Sequence, residues 1–157
     1  ANLEALVNLA TLLSGQGRSP EALRLFQKAL PRSRNREEVF NNMGTALLRM
    51  NRFEEAEISF RRALEVDDSA AMVHFNLGGA LEGQHRYEEA KAAYERAIDL
   101  DPSYPKPYYN LGLLAEASGR FERALASYRL FLGLWTGNGA VAERVKERIS
   151  QLERGSK

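Results

Sequence analysis

The sequence predicts an all-α protein, a stack of helix–turn–helix units forming an α-solenoid of about nine helices. Three observations carry this reading. Asn-x-Gly recurs as Asn42-Met43-Gly44, Asn76-Leu77-Gly78 and Asn110-Leu111-Gly112, each step 34 residues, with Asn8-Leu9-Ala10 one step earlier. A second set keeps the same spacing: Ala22, Ala56, Ala90 and Ala124, followed four residues on by Phe26, Phe60, Tyr94 and Tyr128, then Ala29, Ala63 and Ala97, with Phe131 in the fourth copy. Third, the last stretch keeps a helical apolar stripe of its own. A fixed period of this length marks units that cannot bury their apolar sides alone and must stack to do so.

The register divides the chain into copies at 3–36, 37–70, 71–104 and 105–138, read as one domain over 3–138, followed by a capping helix and tail at 139–157. In copy one, Leu6, Leu9, Leu12 and Leu13 give the first helix an apolar side that is expected either to be capped in a longer protein or to meet another molecule. Gly17 ends that helix, and Ser19-Pro20-Glu21 opens the second, with Pro in the first turn and an acid near the positive end of the dipole. The connection PRSRNRE then brings Arg32, Arg34 and Arg36 together, most simply as a solvated loop.

Copy two ends its first helix at Asn51 and opens its second at Glu54-Glu55; copy three does so at His85 and Glu88-Glu89. Copy four uses Gly119 and Glu122. Gly and Asn are among the residues that most readily tolerate a left-handed cap. In copy three, Leu77, Leu81, Gly78 and Ala80 line one helix face, and Ala90, Ala93, Tyr94 and Ala97 line the next. Their small residues let helix axes approach while the aromatic fills the wedge. Asp101-Pro102 and Pro105 stop one helix and start another. In the last piece Val141, Val145, Ile149 and Leu152 form a narrow apolar seam between charges, suited to seal the open face above Phe131 and Trp135.

These recurrences resemble the tetratricopeptide repeat, a 34-residue helix–turn–helix unit with small residues near positions 8, 20 and 27 and an aromatic near 24. The resemblance covers residues 3–138 and implies a right-handed superhelix that binds protein partners. It also implies that position 6, Asn8, Asn42, Asn76 and Asn110, faces the concave side. A carboxamide offers donors and an acceptor to any peptide backbone. The row is similar to the asparagine ladder in the repeat region of the O-linked N-acetylglucosamine transferases. Position 5 supplies Val7, Asn41, Phe75 and Tyr109, position 9 Thr11 and Thr45, and position 2 Met72 and Lys106. Phe75 and Tyr109 are read either as partly exposed anchors or as packing between first helices. Gly79 and Gly83 beside Phe75 are expected to leave a shallow recess with Met72 at its rim. The carboxylate clamp of the chaperone-binding members is not expected: no frame matches more than two of its five positions, Asn76 and Lys106 in the better one, and its arginine is absent.

Composition narrows the function. The 157 residues are 44% hydrophobic and 27% charged, with no cysteine, which excludes disulfides, thiolate metal sites and a cysteine nucleophile. A net charge of +1 gives no basic surplus for nucleic acid, and no apolar run is long enough for a membrane span. The near-neutral total conceals copies of +4, −4, −3 and +2 and a tail of +2. His74 and His85 have no carboxylate cluster beside them, so neither a metal, a cofactor nor an enzyme activity is expected. The expected function is a scaffold that binds an extended peptide segment of a partner protein along the concave groove. The alternatives are an assembly module, forming a homo-oligomer through the bare first copy, and the substrate-recruiting arm of a larger enzyme. A soluble, cytoplasmic setting is favoured, and a chain opening on Ala is read as a possible piece of a longer one.

Overall fold

The computed structural model describes residues 2–155; Ser156 and Lys157 of the expected tail lie outside the described residues. Nine α-helices and no strand occur among them: α1 Leu3–Gly15, α2 Ser19–Ala29, α3 Arg36–Leu48, α4 Phe53–Val66, α5 Ala71–Gly83, α6 Tyr87–Leu100, α7 Pro105–Ala117, α8 Phe121–Leu134 and α9 Gly139–Gly155. A 3₁₀ turn, Leu30–Arg32, follows α2. The chain forms two compact units, one running through Ala93 and the other from Tyr94.

In the first unit the odd-numbered helices adjoin one another, and each even-numbered helix lies against its own partner and the next odd one: α1 with α2, α2 with α3, α3 with α4 and α4 with α5. The periodic alanines make this possible. Ala22, Ala29, Ala56 and Ala63 are fully buried, as are Phe26 and Phe60. A Cβ placed on Gly44 would lie 2.5 Å from the Phe60 ring, so that glycine is what lets the ring seat. Burying such a ring contributes on the order of 2–3 kcal/mol. In the second unit α7 pairs with α8, which packs on α9, and Gly112 holds the equivalent space for Tyr128.

All four helix–helix turns are built alike. Gly17, Asn51, His85 and Gly119 have φ of 81°, 55°, 61° and 69°. The next residue, always arginine, donates its backbone N–H five residues back, from Arg18 to Leu13, Arg52 to Leu47, Arg86 to Leu81 and Arg120 to Ala115, at 2.8–3.0 Å. This is the Schellman closure, which satisfies carbonyls the helix end leaves open. Three of these arginines then clamp a glutamate three residues on: Arg18 on Glu21, Arg52 on Glu55 and Arg86 on Glu89, each through Nε and Nη2. In copy four Arg123 replaces the glutamate.

The connections between copies also repeat. Ser69 N–H and Oγ donate to Asp67 at 2.9 and 2.6 Å; Ser103 does the same to Asp101 at 3.0 and 2.6 Å. His74 Nε2 meets the Asp68 carbonyl at 2.9 Å, and Tyr108, one period later, donates its hydroxyl to the Pro102 carbonyl at 3.0 Å. His74 thus ties a helix to the loop before it, and His85 meets the Tyr87 hydroxyl at 2.8 Å.

Phe131 and Trp135 stack at 5.1 Å, and Val141, Val145, Ile149 and Leu152 of α9 cover the cluster that they form with Ala124 and Tyr128. A polar latch adds to this seam. Glu116 Oε2 accepts from the Tyr128 hydroxyl at 2.8 Å and from Arg148 Nε at 2.6 Å. Partial burial works against the Glu116 charge, but these bonds and the Arg148 cation outweigh it and hold the carboxyl below its ordinary range.

Candidate functional site

The asparagine row of the first unit lies on α1, α3 and α5, the first helices of three copies. Asn8 is exposed, and Asn42 and Asn76 are half-buried. Each of the latter two ties its helix to the preceding first helix. Asn42 Nδ2 donates to Thr11 Oγ1 at 3.3 Å, and Asn76 Nδ2 donates to Asn41 Oδ1 at 2.9 Å. Thr11 and Thr45 are themselves fixed by donating to the carbonyls of Val7 and Asn41, at 2.9 and 3.0 Å. The amide nitrogen of each asparagine is therefore oriented from within the protein. The Oδ1 atoms of Asn42 and Asn76 accept no bond from the described residues and remain as acceptors on α3 and α5.

Two expectations for this face need correction. Asn41 is buried, 5% exposed, and does not line an open groove; its carboxamide serves as the acceptor that positions Asn76. The cause is angular: position 5 is about 100° around the helix from position 6, turned toward the neighbouring first helix. Likewise, the recess at Gly79 and Gly83 is only half present. The Phe53 ring occupies the space that a Cβ on Gly83 would need, whereas a Cβ on Gly79 would meet only Leu48 Cδ1 at 4.0 Å. Phe75 is half-buried, Met72 is 54% exposed, and the open side of Gly79 has Leu48 as its neighbour.

In the second unit Asn110 Nδ2 donates to the Tyr94 hydroxyl at 2.9 Å. Tyr109 is half-buried, its ring 5.4 Å from Phe131 and 6.0 Å from Tyr128, so it belongs with the packing beneath α9. Phe131 is why: where the other copies have alanine, it brings an aromatic partner within reach. Lys106 is exposed.

One feature of the first unit escaped the sequence reading. An open depression of about 440 Å³ lies between the starts of α1 and α3, under the loop that follows α2. Asn8, Glu4, Glu38, Arg32 and Arg34 are among its lining residues. The sequence signal was there, in the arginine-rich loop, but nothing in it placed that loop over Asn8. Among the described residues no cluster of metal-ligating side chains occurs, and no helix is long and apolar enough to cross a membrane.

Paired antiparallel helices, a strict 34-residue period and a polar row on successive first helices define a helix-pair repeat protein. Sequence models of the tetratricopeptide repeat match residues 3–35, 41–105 and 80–139, and the chain belongs to that family. Tetratricopeptide domains bind protein partners and generally serve as non-catalytic interaction scaffolds. None of the curated proteins matches the chain. Among solved structures, one titled as the crystal structure of MamA is 22% identical, with 85% of this chain and 78% of that one aligned and a TM-score of 0.76. Another MamA structure aligns with 97% of this chain and 86% of its own at 21% identity and a TM-score of 0.76. The pilF protein of Pseudomonas aeruginosa is 22% identical over 97% of this chain and 69% of its own, with a TM-score of 0.82. At these identities the likeness is one of fold.

Proposed function

We propose that the chain is a protein-interaction scaffold whose first unit binds an extended peptide segment across α1, α3 and α5. The observation that carries this reading is the pair of Asn42 and Asn76, each held through Nδ2 by the preceding first helix with Oδ1 left available. Acceptors preset in this way take backbone N–H groups of a segment of any sequence, at little further ordering cost. Each such bond contributes on the order of 1 kcal/mol, so two or three set a weak common affinity and side chains add the rest. Phe75, Met72 and Leu48 offer an apolar contact beside Asn76, where a partner side chain would supply that addition. Asn8 and Thr45 complete this face, and Asn110 and Lys106 form the corresponding stretch of the second unit.

The test is binding to peptides selected from a displayed random library on the wild-type chain. Asn42→Ala with Asn76→Ala is expected to weaken selected peptides by about ten- to a hundred-fold, given roughly 1 kcal/mol for each bond and some loss of positioning. Unchanged affinity in a folded double variant would remove the row from the binding site.

A second reading, assembly through the first copy, is favoured by one contrast. Leu9 and Leu12 are 46% and 58% exposed, whereas among their equivalents in the later copies of the same unit Leu77, Ala46 and Ala80 are buried and Met43 is half-buried. There the second helix of the preceding copy lies alongside; on α1 that side stays open to a second chain. Light scattering over a wide concentration range measures this directly, and a strict monomer would count against it.

A further inference from the structure

We propose that the depression between α1 and α3 is a subsite that reads an acidic side chain on the bound protein segment. The proposal rests on the peptide-binding reading of the asparagine row, because Asn8 belongs both to that row and to the lining of the depression. Its volume of about 440 Å³ falls within the range of clefts that hold a ligand group.

The donors are supplied by the loop. Arg32 and Arg34 line the depression, and both are exposed. Neither forms an ion pair among the described residues. That sets them apart from the turn arginines Arg18, Arg52 and Arg86, each locked onto a glutamate, and from Arg36, which sits 5.7 Å over the Phe40 ring. Two guanidinium groups with their forks uncommitted suit a carboxylate, which can take paired N–H donors. Asn8 adds a carboxamide that makes no side-chain bond within the described protein.

The helical walls decide what kind of anion fits. Glu4 on α1 and Glu38 on α3 also line the depression. Glu38 is partly committed, accepting from Asn35 Nδ2 at 2.7 Å, while Glu4 has no side-chain partner among the described residues. A compact free anion such as phosphate would bring its whole negative charge up against these carboxylates, with no positive or N–H group of its own to meet them. A peptide is different: an acidic side chain can meet the loop arginines while the N–H groups around it, or a neighbouring basic side chain, meet Glu4 and Glu38. The two signs of charge on opposite sides therefore favour a carboxylate carried on a polypeptide.

The experiment uses the whole chain and a displayed random peptide library. Peptides selected on the wild type are expected to be enriched in Asp or Glu and to bind less tightly as ionic strength rises. Arg32→Ala with Arg34→Ala is expected to weaken them at least about ten-fold and to abolish the acidic enrichment when panning is repeated on that variant. Both residues are exposed and unpaired, so an unchanged circular dichroism spectrum and melting curve should accompany the loss. Peptides that need Asn42 and Asn76 yet bind the arginine variant as well as the wild type would overturn the subsite and leave the groove standing. Peptides lost with the arginines but indifferent to Asn42 and Asn76 would overturn the groove reading, and with it the proposed link through Asn8. Selection of no peptide by the wild type would overturn both, and a wild type that binds inorganic phosphate and no acidic peptide would overturn the subsite.

Discussion

At the scale of single residues, the same amino acid does opposite work according to its position. Gly44 and Gly112 make room for Phe60 and Tyr128, whereas Gly133 lies in α8 with nothing within 4 Å of where its Cβ would be. Gly112→Ala must therefore displace a fully buried ring that is also tethered to Glu116, and is expected to cost about 1–3 kcal/mol. Gly133→Ala only removes backbone freedom from the unfolded chain and is expected to add about 0.5–1 kcal/mol. Urea unfolding of both variants checks the opposite signs. The asparagines divide in the same way. Asn42 and Asn76 were legible as a row because their spacing is periodic, but the burial of Asn41 was not. It depends on which neighbour lies 100° around the helix, and periodicity alone does not reveal that.

At the scale of elements, the helices and their turns could be read in detail, since each rule involved is local. Gly17, Asn51, His85 and Gly119 carry the left-handed caps expected of them. The stripe on α9 and its packing over Phe131 and Trp135 followed from the same kind of pattern. The latch between α9 and α7 did not. Glu116 and Arg148 are 32 residues apart and lie at positions that read as ordinary surface charges. Their pairing gives a pH dependence of definite sign. The folded Glu116 has a lowered pKa, so its contribution is fully present above the ordinary glutamate value of about 4.3 and is lost as pH falls through the lower folded value. Thermal melts of wild type and Glu116→Gln should thus differ at pH 7 and converge toward pH 3. A constant difference across that range would exclude the carboxylate as the latch.

At the scale of the whole chain, the family and the helix-pair architecture were legible because the same residues return every 34 positions. The site was less so. Tyr109 left the list of anchors once Phe131 was seen beside it, and the depression at Asn8 emerged only when the arginine loop was placed over it. Charge also varies along the chain, with a basic first copy followed by two acidic ones. The repeated joints carry a further consequence. Because the Asp67–Ser69 and Asp101–Ser103 connections close with the same bonds one period apart, they are interchangeable splice points. A tandem copy of residues 71–104 would meet the same joint at both ends, but its Arg86 would find Lys91 at the position where the native one meets Glu57. Length is then a quantity that evolution or an engineer can change in whole 34-residue steps, provided that the ties between copies, such as Arg86 to Glu57 and Asn76 to Asn41, are rebuilt at the new joint.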